Sequence, residues 1–360
     1  MTSDLTLDLL TAARQISDGE LMREKFVMGP AAPPRGAGRL SAGDNFLADI
    51  LADPELAESL KDFFPSVLAV EPPAETMETQ TPQNILPWGY SPPAGGKPEP
   101  IVAEDNNDTI LLKDFWGRAV ALMAGAAVAG VAPLDDKYLY THSLDGRPIR
   151  RLDDQKEFRI DAAGLTLPRQ ADKVLVLGFV RDPKVMGMNQ GLAKLRPTKG
   201  WLSWAEQVRA VLRLADWISS QAYLALPSAG GLLLSGHHGV LAGLGELGRQ
   251  GLLISPEYGP NLRLFTIITD YPFIPGRPFI FGVADYCETC QRCIAECPAK
   301  ALTEGHRRPG LFQWPVDRRA CFDNWLKKKD PCRQCIEVCP YTREPLVGSR
   351  GGANRPSQPA

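Results

Sequence analysis

Cysteine is absent before residue 287; all eight cysteines lie between Cys287 and Cys339. Charge imbalance is absent too. Forty Lys and Arg against 42 Asp and Glu leave a net charge of −2, which gives no electrostatic case for nucleic acid or an anionic membrane. The longest apolar stretch, Ala119 to Leu134, is too short for a transmembrane helix and rich in Ala and Gly. No basic stretch followed by a long apolar run opens the chain, and Arg-Arg pairs occur only at 150–151, 307–308 and 318–319. A cytoplasmic location is therefore the expectation, and a reducing compartment suits cysteines that bind metal rather than form disulfides. No internal repeat is evident. These exclusions leave a protein that handles small molecules.

The 360 residues suffice for two or three domains, or for one large domain with an appendage. An apolar content of 44% is ordinary for a globular chain that buries a core. Residues 1–27 show helical spacing at Leu5, Leu9, Ala12 and Ile16. Residues 44–64 show it again, and prolines recur from Glu71 to Pro100 in the manner of a linker or surface arm.

The main body spans about 105–285. Lys113–Ala127 and Trp204–Ala222 read as helices, the second with Val208, Val211, Leu212, Ala215 and Ile218 on one face. Val128–Pro133, Lys173–Val180, Leu252–Ile254 and Leu262–Thr269 read as strands. This alternation predicts an α/β fold, of the α+β sandwich kind. The expected divisions are 1–104 as an extension, 105–280 as the core, 281–347 as the cysteine module and 348–360 as a disordered tail.

The first cysteine group is Cys287-x2-Cys290-x2-Cys293-x3-Cys297-Pro298. This is the spacing of a bacterial ferredoxin motif, in which three thiolates wrap one cubane and the fourth serves the other cluster. The second group, Cys332-x2-Cys335-x3-Cys339-Pro340, has Lys329 where a repeat would place its first cysteine. Cys321 must therefore reach across a loop to complete it. The expected ligand sets are Cys287, Cys290, Cys293 and Cys339 for one [4Fe–4S] cluster, and Cys297, Cys321, Cys332 and Cys335 for the other. Zinc would favour paired CxxC elements closing tetrahedral sites, and spacing alone leaves a [3Fe–4S] form open for one cluster.

Gly243-x-Gly245-x-x-Gly248 matches a dinucleotide-binding pattern. Its context argues otherwise, since that motif follows a strand and opens a long helix, whereas Gly251 interrupts at once. These glycines instead suggest close approach of backbone to another large cofactor.

The run from Ala242 to Leu264, continuing to Thr269-Asp270 and Cys287-Glu-Thr-Cys290, resembles the cobalamin-dependent reductive dehalogenases, whose core is similar to that of epoxyqueuosine reductases. Gly130–Asp135, Tyr138-Leu-Tyr140 and Ala225–Ser228 carry the same resemblance. It implies a nitroreductase-like cobalamin-binding core followed by a ferredoxin-like module with two [4Fe–4S] clusters. It further implies base-off cobalamin, reduced to cob(I)alamin through the clusters, and reductive removal of halide from an organohalide. An external ferredoxin, flavodoxin or reductase would supply electrons; homo- or hetero-oligomerisation is left open.

By the same resemblance, Gly243, Gly245, Gly248, Gly251, Ser255 and Gly259 approach the corrin and its tail. His237 and His238 would make polar contacts nearby. Arg263 stands at the family's supporting basic position. Gly200-Trp201, however, stands where a Gly-Tyr pair with the acid is expected, and an indole N–H is no acid at neutral pH. Tyr138, Tyr140, Lys199 and His142 become alternative proton donors, with Trp201 as a pocket wall. A non-dehalogenating corrinoid reductase acting on an epoxide, ether or activated alkene, and a non-catalytic electron-transfer subunit, are the competing readings.

Overall fold

The computed structural model describes residues 107–143, 147–181, 204–229, 231–278, 280–307, 313–328 and 332–343. The expected N-terminal helices, proline-rich arm, C-terminal tail and Gly200-Trp201 pair lie outside them.

Helix α1 (Asn107–Met123) leads into strand β1 (Val128–Pro133). Three short strands follow: β2 (Ile149–Leu152), β3 (Arg159–Asp161) and β4 (Gly164–Pro168). Strand β5 (Lys173–Val180), helix α2 (Trp204–Ser220), strand β6 (Ala225–Ser228) and helix α3 (Ser235–Leu241) come next. A two-stranded ribbon, β7 (Glu246–Leu247) with β8 (Leu253–Ile254), precedes β9 (Leu262–Thr269). The cysteine module is built from short helices: α4 (Val283–Thr289), α5 (Arg292–Ala295), α6 (Arg318–Lys328), α7 (Gln334–Glu337) and α8 (Pro340–Arg343).

The main sheet has the order β1-β5-β9-β6, with every neighbour antiparallel. Side chains alternate across a strand, and here both faces are covered. Leu175, Leu177 and Phe179 of β5 and Phe265 and Ile267 of β9 pack with Ala121 of α1 and Val208, Val211, Leu214, Ala215 and Ile218 of α2. Val174, Val176 and Ile268 point the other way, onto Tyr138, Leu139, Tyr140, Leu232–Leu234 and the small sheet's Ile149, Leu165 and Leu167. Burial on both faces makes β5 almost wholly apolar and β9 predominantly so, which is why they read so clearly in the sequence.

The fold is mixed α and β, as expected, and its antiparallel sheet is of the α+β kind. Strands β1, β5 and β9 occupy their expected residues. Helix α1 starts and ends earlier than expected, stopping before Gly125, whose φ is 102°. Strands β2–β4 were not foreseen, since strands of three to five residues offer too little periodicity. Cys321 stands on α6, upstream of the CxxC pair it is expected to join.

Leu175 is fully buried between β9 and the two helices. Leu175→Ala is expected to cost about 2–5 kcal/mol through lost contacts and a cavity, measured by chemical denaturation.

Candidate functional site

The eight thiols fall into two electrostatic neighbourhoods. Cys287 feels Cys290 and Cys293, and Cys339 feels all three. Cys321 feels Cys297 and Cys332, and Cys335 feels Cys297, Cys321 and Cys332. Cys293 joins the sets: it acts on Cys335 and shares an apolar cluster with Cys297 and Cys335. The last cysteine of each chain segment thus belongs with the opposite segment. Helices α5 and α7 pack against each other and bring the segments together.

Burial, and then the crowding of neighbouring thiolates, opposes ionisation in this module. It holds Cys287, Cys335 and Cys339 up at about 12, and Cys293 and Cys321 at about 11. A thiol ligates as thiolate, so such positions fit a cationic guest that supplies the missing charge. Among the described residues, no three His, Cys, Asp or Glu side chains converge as a single ion requires.

The β7–β8 ribbon fastens this module to the core. Glu246 Oε1 accepts hydrogen bonds from the amides of Phe281 (2.7 Å) and Val283 (3.1 Å), and Oε2 from that of Ala284 (3.4 Å). It thereby satisfies the orphan N–H groups at the start of α4, the helix that carries Cys287. Arg249 donates from Nε (2.9 Å) and Nη2 (2.6 Å) to the carbonyl of Cys287. No long helix follows the glycines, so the dinucleotide pattern indeed lacks its context.

The glycines expected to face a cofactor lie in and beside this ribbon. Gly245, at φ 155°, runs against the carbonyl of Ile254, leaving no room for a Cβ. At Gly259, φ 53°, a Cβ would stand 2.7 Å from the carbonyl oxygen of Tyr341. The chain's own backbone is therefore sufficient reason for both. Gly243 meets the carbonyl of Arg277, Gly248 the side chains of Ile254 and Gln250, and Gly251 Val316. Ser255 Oγ accepts from the amide of Tyr258 at 2.9 Å.

Arg263 lies on β9 and donates from Nη1 to Gln207 Oε1 at 2.9 Å. Burial, followed by the adjacent Arg181 guanidinium, holds it down at about 9. Arg181 is lowered as well by burial, while the nearby Cys335 acts in the opposite sense. Arg181 was not singled out from the sequence. It follows directly on β5, and only the strand register reveals that it neighbours Arg263.

Tyr138 and Tyr140 are buried in the core on the opposite face of the sheet. Tyr138 stacks on His237 with ring centroids 4.7 Å apart and meets His238 edge-on at 5.9 Å. Burial, with Asp135 adding to it, raises the Tyr138 phenol, so it yields its proton less readily than a solvated one. That weakens the expectation that it is an acid. His238 Nδ1 lies 3.2 Å from the carbonyl of Leu234. A carbonyl only accepts, so Nδ1 bears the hydrogen and Nε2 keeps its lone pair. Nε2 is buried without a partner among the described residues.

The chain is similar to known proteins in sequence and fold. The chain is 31% identical over 263 residues to the tetrachloroethene reductive dehalogenase of Sulfurospirillum multivorans, covering 66% of this chain and 52% of that protein. It is 26% identical over 257 residues to the enzyme of the same name from Desulfitobacterium hafniense, covering 61% and 46%. The epoxyqueuosine reductase of Listeria monocytogenes is 33% identical over 109 residues, 28% of either chain. The chain thus spans about half the length of the reductive dehalogenases it matches. A solved structure of the catabolic reductive dehalogenase NpRdhA, in complex with 3-bromo-4-hydroxybenzoic acid, superposes with a TM-score of 0.59. It covers 89% of this chain and 44% of that one at 21% identity, which speaks to the fold. No protein-family model matches the chain. The resemblance read from the sequence is borne out, and these relatives are reductive enzymes by name. Among the described residues no helix is long and apolar enough to cross a membrane.

Burial also lowers His238 to about 4, against 6.5 unperturbed. The unfolded chain then binds the extra proton between those values, so His238 costs stability as pH falls from about 6.5 towards 4. His238→Gln is expected to flatten the loss of stability in that window relative to the parent chain, followed by denaturation at pH 7, 5.5 and 4.5.

Proposed function

We propose that the chain is a cobalamin- and iron–sulfur-dependent reductase of the reductive dehalogenase type, which removes halide from an organohalide. In this reading a nitroreductase-like core precedes a ferredoxin-like module, in a cytoplasmic setting that keeps the thiols reduced. The observation that carries it is the sorting of eight thiols into two interleaved sets of four, on a chain similar to enzymes named for this reaction.

Cys287, Cys290, Cys293 and Cys339 would hold one [4Fe–4S] cluster, and Cys297, Cys321, Cys332 and Cys335 the other. When bound, the clusters supply single electrons from an external low-potential donor and a base-off corrinoid supplies the cobalt that reduces the substrate. The unpartnered Nε2 of His238 fits the amide-bearing periphery of such a cofactor as a hydrogen-bond acceptor. Arg263, steadied by Gln207 and paired in charge with Arg181, binds an anionic group of substrate or cofactor. Two neighbouring guanidinia in a partly buried site favour such an anion strongly.

A second reading keeps the cofactors and changes the reaction to a non-dehalogenating reduction. Trp201, in place of the expected tyrosine, favours it. Turnover under anaerobic conditions with a low-potential donor separates the two: halide release supports dehalogenation, while corrinoid binding without halide from aromatic or alkyl halides supports the second.

After anaerobic reconstitution the chain is expected to hold about one corrinoid and about eight irons, the sum for two cubanes. Iron without corrinoid would remove the cobalamin assignment and leave an electron-transfer subunit. Cys297→Ser is expected to perturb the centre of the later cysteines, and Cys339→Ser that of the earlier ones. Electron paramagnetic resonance of the reduced variants checks this; each substitution disturbing the centre of its own segment would refute the interleaved ligand sets.

A further inference from the structure

Arg249 is among the largest fully buried side chains of the described residues, and it is the one cation in that group. Its guanidinium donates to four backbone carbonyls: Cys287, Glu288 (3.4 Å), Thr303 (3.1 Å) and Gly305 (3.2 Å). Its flat face lies over the indole of Trp314, 5.2 Å from the ring centroid. Among the described residues, none of these acceptors is a carboxylate. Glu246, three residues earlier, directs its oxygens to the amides at the start of α4 instead. Carbonyls and an indole satisfy the N–H groups without cancelling the charge, and a guanidinium does not lose its proton in a protein. Arg249 acts electrostatically on Cys287 and Cys293.

This is a costly arrangement for a simple tether. A neutral amide donor could hold a carbonyl without burying a charge. The charge itself calls for a reason, and the adjacent thiols offer one. A cluster gains negative charge when it is reduced, and a fixed cation in a poorly polarisable setting stabilises the reduced form more than the oxidised one.

We propose that Arg249 is a positioning residue that fixes a permanent positive charge beside the cluster held by Cys287, Cys290, Cys293 and Cys339, and thereby raises that cluster's reduction potential. The proposal rests on the cluster assignment made above. Its backbone bonds keep the charge at a constant distance, because the carbonyl it grips belongs to one of the ligating residues. Trp314 is itself almost fully buried, and Arg307 lies over the same indole at 5.0 Å.

The test is a potentiometric titration of the full reconstituted chain, monitored by electron paramagnetic resonance, on the parent, Arg249→Gln and Arg249→Lys. Glutamine keeps a donor for the Cys287 carbonyl and removes the charge; lysine keeps the charge and loses the fork. One of two midpoints is expected to fall in Arg249→Gln while the other stays, and both are expected to stay near the parent values in Arg249→Lys. Equal shifts in the two variants, or no shift in either, would overturn the proposal. If Arg249→Gln loses about half its iron, as one of two cubanes would carry, full loading of Arg249→Lys still assigns the effect to charge. Loss from both variants makes Arg249 a tether and overturns it. A parent chain without two redox-active centres would instead refute the cluster assignment, and its own iron content shows that before any variant is made.

Discussion

Burying thiolates beside one another is unfavourable unless positive charge accompanies them, and the cysteine module of the chain is organised round that requirement. Cys287 and Cys339 share an apolar cluster with Ile254, Val283, Trp314 and Tyr341, and Cys293 sits in another with Leu302 and Val338. These surroundings exclude water and so make ionisation harder. Burial and Cys287 together drive even the Tyr341 phenol well above its usual range. The compensating cations come from the chain as well as from any guest: Arg249 acts on the first set, Arg318 on Cys321, and Arg181 lies within electrostatic reach of Cys335. The first set is enclosed more completely, with Cys287, Cys290, Cys293 and Cys339 all buried, while the four cysteines of the second are only partly so. An asymmetry of environment is therefore built in, whatever electrons the module carries.

The ribbon between α3 and β9 is the mechanical counterpart of that electrostatics. Its glycines let two backbones pass closely, and its two long polar side chains reach outward to the module. Glu246 and Arg249 grip opposite parts of one helix: the amides at its start and the carbonyl of Cys287 within it. Opposite charges meet the backbone groups each is suited to, since N–H groups attract a carboxylate and carbonyls a guanidinium. A glycine-rich stretch that resembled a cofactor cradle in the sequence thus has a structural task between two parts of the same chain.

How much of this was legible follows from the range of each interaction. Strands β1, β5 and β9 could be read because each is dominated by apolar residues, which burial on both faces favours even though β9 also carries Arg263, Thr266 and Thr269. Strands β2–β4 could not, since Ile149–Leu152 includes two arginines and Arg159–Asp161 a single apolar residue. The expectation of interleaved cysteine sets could be drawn from spacing because the motif's geometry is local, three thiols within seven residues. Arg249, Glu246 and Arg181 carried no such signal. Each is an ordinary charged residue in the chain, and becomes notable only when folding brings it near a segment distant in sequence, from 35 residues for Glu246 with Phe281 to 38 for Arg249 with Cys287, and farther still for Arg181 with Cys335. Tyr138 shows the converse: its short family-like motif invited a chemical role, whereas its environment is that of a core aromatic stacked on a histidine.

The juxtaposition of Arg181 and Arg263 shows how a sheet can enforce what electrostatics alone would resist. In the β5–β9 ladder Phe179 lies opposite Arg263, and the amide of Arg181 bonds the carbonyl of Asn261. Residues two apart on a strand share a face, so Arg181 follows Phe179 and Arg263 precedes Phe265 on the face that meets α2. The same face carries Leu175, Leu177 and Ile267, packed against Val208, Val211 and Ile218. A one-residue slip would turn all of these side chains to the other side. At roughly 1.5–3 kcal/mol for each buried aliphatic or aromatic side chain, that loss outweighs the repulsion between two partly screened cations. Register is thus set by apolar burial, and the paired guanidinia are held as a consequence of it. An anion bound there relieves a repulsion that the fold already sustains, so the gain on binding exceeds what either arginine would give by itself.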